Sequence, residues 1–321
     1  MGRAPAEEKN IDCCGRVRHC VPMRSDEFYN DVSIVSDFRA RYRTGGRTPG
    51  GLPDGAAVRK FRSIIYGYYR THHRDFPWRR TADPYHILVS EIMLQQTQVD
   101  RVAEKFVEFI GVFPSIRDLA RAPLRRVLTV WQGMGYNRRA RYLHDLAKRV
   151  AAEHGGSVPD DPEVLASLPG IGKATAASIC AFAFNRPTLF IETNIRAVFI
   201  HFFFPDATSV SDRDILPLAG AALDRKRPHD WYSALMDYGS MLKKRHPNPS
   251  RKSAHHQRQA PFEGSRRQVR GRVLRALLAD PGMPRKRLAA VVGVPVTDLV
   301  SVIDELEQEG LVRKKGGLLY I

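Results

Sequence analysis

The stretch 168–172, Leu-Pro-Gly-Ile-Gly, constrains the fold most, because it ends one helix and opens another within a few residues. Gly170 and Gly172 permit a tight hairpin and a close approach of the backbone to a ligand. A helix rich in small residues begins at Lys173 and includes Thr175, and its first N–H groups are available to a phosphate. We therefore predict a nucleic-acid backbone contact at Gly170, Gly172, Lys173 and Thr175, independent of base sequence.

Helical periodicity dominates the chain from Val58 to about Met241, and no convincing strand pattern interrupts it. Phe61, Ile64 and Tyr68, for example, recur at helical spacing. The sequence therefore predicts an all-α domain of about ten helices over residues 56–242, with a core that includes Cys180.

Three other segments flank this domain. Residues 1–55 are polar, basic and partly glycine-rich, so we expect them to be disordered or loosely structured. Residues 243–269 hold eight lysines and arginines against one acid and form a basic connector. The apolar pattern of residues 270–321 predicts three helices and a terminal β-ribbon, which is the arrangement of a winged helix. Such a module serves either nucleic-acid binding or protein contact.

The balance of charge favours a polyanionic partner. The chain has 51 Lys and Arg against 34 Asp and Glu, a net charge of +17. Neutralising phosphates would release counterions, although a merely solvated basic face is the alternative. No apolar run of about 18 residues and no secretory pattern occurs, so we expect no membrane partner and a cytoplasmic, nucleoid-associated location. We also expect a monomer.

Glu91 is a carboxylate inside an otherwise apolar helix, which is costly unless the group is used or paired. Burial would raise its pKa and keep a proton available near neutral pH, as a general acid requires. Local capping or pairing is the alternative. For the four cysteines and the histidines we predict no metal site, since Cys13, Cys14 and Cys20 fit no familiar zinc spacing.

The string 90–99, Ser-Glu-Ile-Met-Leu-Gln-Gln-Thr-Gln-Val, and the hairpin resemble the helix-hairpin-helix DNA glycosylases, in particular the MutY type. This resemblance covers about residues 58–242 and implies a two-lobed helical domain. In that family the Glu matching Glu91 protonates the adenine ring. The pair matching Gln95 and Gln96 lies at the gap left by the extruded base. Members often hold a monovalent cation at the hairpin, here residues 168–173.

Two further stretches resemble motifs of the same family. Trp78 and Arg79 close a Phe-Pro-Trp-Arg stretch and are expected in the DNA-binding site. Tyr136 matches the aromatic residue that contacts the base opposite the flipped adenine, while the family's second tyrosine is Asn137 here. The alternative is an ordinary buried tyrosine followed by a solvated run of arginines.

A second carboxylate, Glu192, stands where the family usually has an aspartate that stabilises positive charge on the sugar. Glutamate keeps the charge but reaches one methylene further, so a helix-cap role is the alternative. We expect Asn194 to orient or cap beside it within the catalytic group, and Arg196 to contact DNA.

The resemblance breaks in three places. Ala174 occupies the position of the Schiff-base lysine of endonuclease III-type lyases. The adjacent Lys173 is rotated from that position by about 100° around the helix axis. We therefore predict no lyase activity. Family members commonly hold a [4Fe–4S] cluster, but no cysteine lies between Lys243 and Ile321, so we predict none, with the basic connector contacting phosphates instead. The winged helix replaces the usual Nudix-like domain, which leaves the opposite-base preference open.

These features predict a monofunctional DNA glycosylase that hydrolyses the N-glycosidic bond of mispaired adenine, opposite guanine or 8-oxoguanine. Its partner would be double-stranded DNA containing a mispair or a damaged base. One alternative is a mismatch-specific thymine/uracil-DNA glycosylase, in which a tyrosine often fills the position of Ala174. The other is a non-catalytic DNA-binding or regulatory protein, against which the retained Glu91, Gln95 and Gln96 argue.

Overall fold

The structure is a computed structural model that describes residues 31–42, 54–256 and 261–321. Its elements are mostly α-helices, as predicted. They are α1 (Asp31–Tyr42), α2 (Gly55–His72), α3 (Pro84–Leu94), α4 (Val99–Val112), α5 (Ile116–Arg121), α6 (Leu124–Val130), α7 (Arg138–Glu153), α8 (Pro162–Ala166), α9 (Lys173–Phe184), α10 (Thr193–Phe203), α11 (Asp212–Ala222), α12 (Pro228–Arg245), α13 (Arg266–Ala279), α14 (Arg285–Val292) and α15 (Val296–Gln308). Two 3-10 turns cover Pro77–Arg79 and Pro249–Lys252, and three strands are β1 (Met283–Pro284), β2 (Arg313–Lys315) and β3 (Leu318–Tyr320).

The helical domain has two hydrophobic cores that share one helix. The first joins α1, α2 and α10 to α12 around Phe61, Phe199 and Trp231. The second joins α3 to α8 around Phe109 and Trp131 and continues into the C-terminal helices. Helix α9 contributes small side chains to both cores, so the second helix of the hairpin lies between the two lobes. This is the two-lobed helical arrangement predicted from the sequence.

Helix α1 corrects the prediction that all of residues 1–55 are loosely structured. Val35 and Phe38 are about 1% exposed, and the Phe38 ring packs edge-on against Phe202 with centroids 5.5 Å apart. Two buried apolar side chains one turn apart were too weak a pattern to stand out in a polar segment. Cys13, Cys14 and Cys20 lie outside the described residues, whereas Cys180 is buried as expected.

The hairpin connects α8 to α9 through a left-handed glycine. Gly170 has φ of +77°, and a Cβ there would lie 2.7 Å from Tyr142 Cβ, so only glycine fits without a shift. Gly172 precedes α9 and offers no side-chain cap, while Lys173 is exposed. The first N–H groups of α9 therefore lack a side-chain cap, which leaves them available for a ligand.

Residues 243–256 of the basic connector pack against the helical domain. Helix α12 runs three residues past the predicted boundary at 242, because Met241 and Leu242 are buried and continue the apolar face. Beyond it, Ser250 Oγ donates to Thr193 O at 3.0 Å, and Val210 N donates to Lys252 O at 2.8 Å. These bonds hold the segment against the start of α10 and the loop that follows that helix.

The C-terminal unit runs α13, β1, α14, α15, β2 and β3, with the strands in the antiparallel order β1-β3-β2. It contains the three helices and the terminal ribbon expected from the sequence, plus one short strand. Its assignment as a winged helix stays a prediction. Arg138 pairs with Glu309 at 2.8 Å, and Arg125 Nη2 donates to Leu278 O at 2.7 Å, so the unit packs directly on the helical domain. No helix among the described residues could span a membrane.

Candidate active site and nucleic-acid groove

A cavity of about 420 Å³ lies between the two lobes, within the size range of small-ligand sites. Its walls come from α3, α9, the start of α10, α12 and the 3-10 turn at 77–79. Seven of the residues predicted as catalytic or DNA-binding line it: Trp78, Arg79, Glu91, Gln95, Thr175, Glu192 and Asn194. We call this space the catalytic cavity.

Glu91 extends from α3 into the catalytic cavity, and its environment disfavours charge. Burial raises the pKa of Glu91 to about 7, and the nearby charge of Glu192 raises it as well, while a hydrogen bond from Ser178 acts in the opposite direction. Desolvation is the dominant cause, as expected for a carboxyl group taken out of water. Near neutral pH the group is therefore divided between its acid and its carboxylate form.

Ser178, which the sequence reasoning missed, can serve both forms of Glu91. Its Oγ lies 2.5 Å from Glu91 Oε2 and 2.9 Å from Thr175 O. A hydroxyl has one proton and can also accept. Ser178 can donate to ionised Glu91, or donate to Thr175 O while it accepts from protonated Glu91. The geometry accommodates a change of protonation without movement of the backbone.

Glu192 has the opposite environment, since N–H donors converge on it. Its Oε1 accepts from Asn194 N at 2.7 Å and from Ile195 N at 3.0 Å, and its Oε2 accepts from Asn194 Nδ2 at 3.3 Å. The carboxylate thus caps α10, where the helix dipole stabilises negative charge. The two readings of the sequence are compatible, because the capping carboxylate also lines the cavity.

Asn194 is fixed by close packing of α12 on α10. A Cβ at Gly239 would lie 2.3 Å from Asn194 O, so a glycine is needed where the two helices meet. The Asn194 side chain donates to Glu192, while its buried Oδ1 has no hydrogen-bond partner among the described residues. This oxygen is a buried, unsatisfied acceptor on a residue that lines the cavity.

Trp78 and Arg79 form one wall of the catalytic cavity. The Trp78 ring is stacked on Phe76 with centroids 5.0 Å apart. The Arg79 guanidinium donates to both oxygens of Asp237, at 2.7 and 2.9 Å, and Asp237 is only 2% exposed. Arg74 pairs with the same carboxylate at 2.6 Å. The structure thus gives Arg79 a role in holding the wall, and its predicted contact with DNA stays a prediction.

Lys243 is a lining residue that the sequence analysis placed only in the basic connector. It is half-buried at the end of α12, and burial lowers the pKa of its ammonium while Glu192 raises it and Arg74 lowers it. It makes no salt bridge with any residue in the described ranges. Its contact with the cavity arises from the folding of α12 past residue 242, which no local pattern indicated.

A second and larger space, which we call the DNA groove, opens beside the catalytic cavity. It measures about 1600 Å³ and runs between the helical domain and the C-terminal unit. Gln95 lines both spaces, and Gln96, Tyr136 and Gly170 line the groove. Gln96 and Tyr136 have φ of +55° and +46°, a strained conformation for these residue types.

Arg139 holds the loops that carry these residues. It is 8% exposed rather than solvated, and it donates to Met93 O at 2.8 Å and Thr97 Oγ1 at 2.8 Å on one side. On the other side it donates to the carbonyls of Met134 and Gly135, both at 3.3 Å. The glutamine loop and the tyrosine loop are therefore fixed to each other by one guanidinium.

Three predicted DNA contacts lie outside both spaces. Gly172 and Lys173 are on the exposed hairpin, and Arg196 pairs with Asp212 at 2.7 Å. Hairpin contacts with a phosphate backbone do not require a cavity, so their role stays a prediction, as does the monovalent cation. The ion pair of Arg196 gives it a structural role in joining α10 to α11.

The residues that the structure describes do not fit a four-cysteine iron–sulfur cluster. Cys180 is the sole cysteine in the described ranges, and its Sγ donates to Asp160 O at 3.3 Å. No group of three His, Cys, Asp or Glu side chains among the described residues could hold a metal ion. The segment after α12 is held by the hydrogen bonds of Ser250 and Val210 instead.

Replacing Glu91 by glutamine should change how the free energy of unfolding depends on pH. In the folded protein Glu91 keeps its proton up to pH about 7, whereas the unfolded side chain releases it near 4.5. The resulting stabilisation is complete below pH 4.5 and is lost as pH rises through 7. Relative to Glu91→Gln, the wild-type chain should lose ~3 kcal/mol over this window in urea unfolding. The exposed Glu104→Gln is the control, and parallel curves for wild type and Glu91→Gln would contradict the assignment.

Comparison with known proteins places the chain in a family. Residues 89–215 match the HhH-GPD superfamily base excision DNA repair proteins. The adenine DNA glycosylase of Mycobacterium tuberculosis (strain ATCC 25618 / H37Rv) is 32% identical over 235 residues, covering 67% of this chain and 77% of the relative. The human adenine DNA glycosylase is 36% identical over 202 residues, covering 59% of this chain and 37% of the human protein.

The fold agrees with this match. The structure of a thermostable thymine-DNA glycosylase aligns with a TM-score of 0.52 and 27% identity, over 60% of this chain and 90% of that one. The chain spans little more than a third of the human relative's length, but it spans more than two thirds of the mycobacterial one. The chain therefore belongs to the helix-hairpin-helix superfamily of base excision DNA repair proteins, within the adenine DNA glycosylase family.

Proposed function

We propose that this protein is a monofunctional DNA glycosylase that removes mispaired adenine, opposite guanine or 8-oxoguanine, by hydrolysis of the N-glycosidic bond. The observation that carries the proposal is a pair of carboxyl groups in one cavity. Glu91 has a pKa near neutral pH, and Glu192 accepts hydrogen bonds from backbone N–H groups. Such a pair is what cleavage through an oxocarbenium-like state requires. The adenine DNA glycosylase relatives support adenine as the base.

In the proposed reaction, Glu91 acts as the general acid. An adenine in the catalytic cavity receives the Glu91 proton on a ring nitrogen, which allows the base to leave with the electrons of the N-glycosidic bond. Ser178 then donates to the Glu91 carboxylate at the short distance already present. Water adds at C1′, and its proton restores the acid form of Glu91.

Glu192 acts on the sugar rather than on the base. Positive charge develops on the sugar ring as the bond breaks, and a fixed carboxylate stabilises it without reorganisation. The N–H donors on Glu192 fix its position, and Asn194 is the residue that orients it. Lys243 lies near this carboxylate, so its charge balances that of Glu192 before the substrate cation forms.

Extrusion of the base brings the reacting bond into the cavity. The glycosidic bond is inaccessible within the stack, and a gap is left when the nucleotide rotates out. Gln95 lines both the cavity and the groove, and Gln96 lines the groove, so both are placed to fill that gap. The uncapped start of α9 anchors the phosphate backbone beside it.

A second candidate is a mismatch-specific thymine/uracil-DNA glycosylase, which the likeness to a thermostable thymine-DNA glycosylase favours. The two candidates differ in whether the extruded base is a protonated purine or a pyrimidine. A non-catalytic DNA-binding protein would have no use for the proton-accommodating contact between Glu91 and Ser178.

An excision assay on A:8-oxoG, A:G, T:G and U:G duplexes tests the function. We expect excision of adenine, with a rate that falls as pH rises above 7 because Glu91 loses its proton. Glu91→Gln should lower the single-turnover rate by a factor of about 10²–10⁴ while duplex binding is unchanged. Glu104→Gln should retain the wild-type rate. Preferential excision of thymine or uracil would establish the second candidate, and no excision by the wild type would leave only a binding role.

Borohydride trapping on abasic DNA tests the proposed absence of lyase activity. Ala174 lines the cavity and cannot form an imine, and Lys173 lies outside the cavity lining. We therefore expect no covalent adduct above that of an unrelated basic protein. Lys243 is the amine that the cavity does contain, so Lys243→Arg and Lys173→Arg are tested in parallel. A strong adduct lost in either variant would refute hydrolysis without lyase action and identify the amine.

We also propose that the glycosylase works without an iron–sulfur cluster. Purified protein should contain no stoichiometric iron and should lack the broad visible absorbance of a cluster. Its urea unfolding should be unaffected by a chelator, because protein hydrogen bonds hold the segment after α12. Ser250→Ala should lower the free energy of unfolding by ~1 kcal/mol, since it leaves Thr193 O without this donor. Iron bound in a fixed ratio to the protein, with a loss of stability when a chelator removes it, would contradict this proposal.

A further inference from the structure

Two helices of the C-terminal unit carry opposite charges. Helix α13 carries five arginines and no acid, whereas α15 carries four acids and no lysine or arginine. In a helix-turn-helix mode of binding, the helix that follows the turn enters the major groove. Here that helix is α15, which has no lysine or arginine to contact phosphates. The charges therefore argue against this mode for the unit.

Some arginines of α13 are neutralised from within the unit. Arg266 pairs with Glu305 at 2.5 Å, and Arg270 pairs with Glu305 and Glu309 at 3.0 and 2.5 Å. Arg275 is exposed in the DNA groove and has no ion pair with any residue that the structure describes. Glu305 and Glu309 therefore neutralise Arg266 and Arg270 but not Arg275.

Helix α13 lines the DNA groove on the side opposite the helical domain. Arg267 Nη1 donates to Tyr136 Oη at 3.0 Å, and Tyr136 is 37% exposed. The same groove is lined by Gln96 and by Gln95, which also lines the catalytic cavity. Seven arginines and three acids line it, so the groove as a whole is positive.

We propose that the C-terminal unit binds DNA through α13, with Arg267 and Arg275 on the strand opposite the extruded nucleotide, and not through α15. This assignment rests on the proposed glycosylase function for the identity of its ligand. The catalytic cavity receives the extruded nucleotide on one side of Gln95. The continuous groove on the other side then accommodates the partner strand between Tyr136 and α13.

The affinity for a short undamaged duplex, measured over a series of salt concentrations, tests the proposal. The variant Arg267→Ala/Arg275→Ala in the full chain should bind on the order of tenfold more weakly. Its slope of log K against log salt should be smaller by about 2, one for each phosphate contact removed. The matched control Arg313→Ala/Lys315→Ala removes the same charge from the exposed β2 edge and should leave slope and affinity unchanged.

Two results would overturn the assignment. A slope reduced by the β2 variant but not by the α13 variant would place DNA on the ribbon side. A slope unchanged in both would remove α13 and the β2 edge from the DNA interface. Hydroxyl-radical footprints on a duplex with a reduced abasic site give a second readout, since the α13 variant should lose protection on the opposite strand. Binding is measured without base excision, so an inactive wild type with α13-dependent binding would refute only the glycosylase function.

Discussion

The guanidinium of Arg139 is the interaction on which the site depends, because it joins the loop after α3 to the loop before α7. Its donors reach carbonyls at the end of α3, Thr97 Oγ1, and carbonyls of the tyrosine loop. Gln96 and Tyr136 have left-handed backbones, which cost of order 1–3 kcal/mol each. Hydrogen bonds from a charged donor contribute about 1.5–3 kcal/mol and offset this strain. Burial lowers the pKa of Arg139 to about 10, so the clamp stays charged at neutral pH.

The chemistry depends on an asymmetry between two carboxyl groups in one cavity. Glu91 comes from the middle of a helix, where apolar neighbours remove water and raise its pKa to about 7. Glu192 comes from the start of a helix, where backbone N–H groups point at it. The mid-helix position thus suits Glu91 as the proton donor, and the helix-start position suits Glu192 as a fixed negative charge. Close packing at Gly239 brings α12 against the start of α10, the helix that Glu192 caps.

The features that could be predicted from the sequence are those encoded in short stretches. The hairpin glycines, the isolated Glu91 and the helical periodicity each require only a few neighbouring residues. Arg139, Ser178 and Lys243 could not be found in this way, because their roles depend on distant contacts. Arg139 reaches Met93 across 46 residues, and Ser178 reaches Glu91 across 87. Helix α1 escapes sequence-based prediction for a related reason, since Phe38 packs against aromatic rings that α2 and α10 supply.

The C-terminal unit shows how acidic residues can orient a basic surface. Glu309 pairs with Arg138 of the helical domain and with Arg270 of α13, so one carboxylate connects α7 to the first helix of the unit. The Arg141 guanidinium also donates to Gly310 O at the end of α15. Within the unit, Glu305 of α15 pairs with Arg266 and Arg270, and Asp304 and Glu307 pair with Lys314. The same docking sets Arg267 beside Tyr136. A helix without basic side chains therefore helps to position the neighbouring helix that carries them.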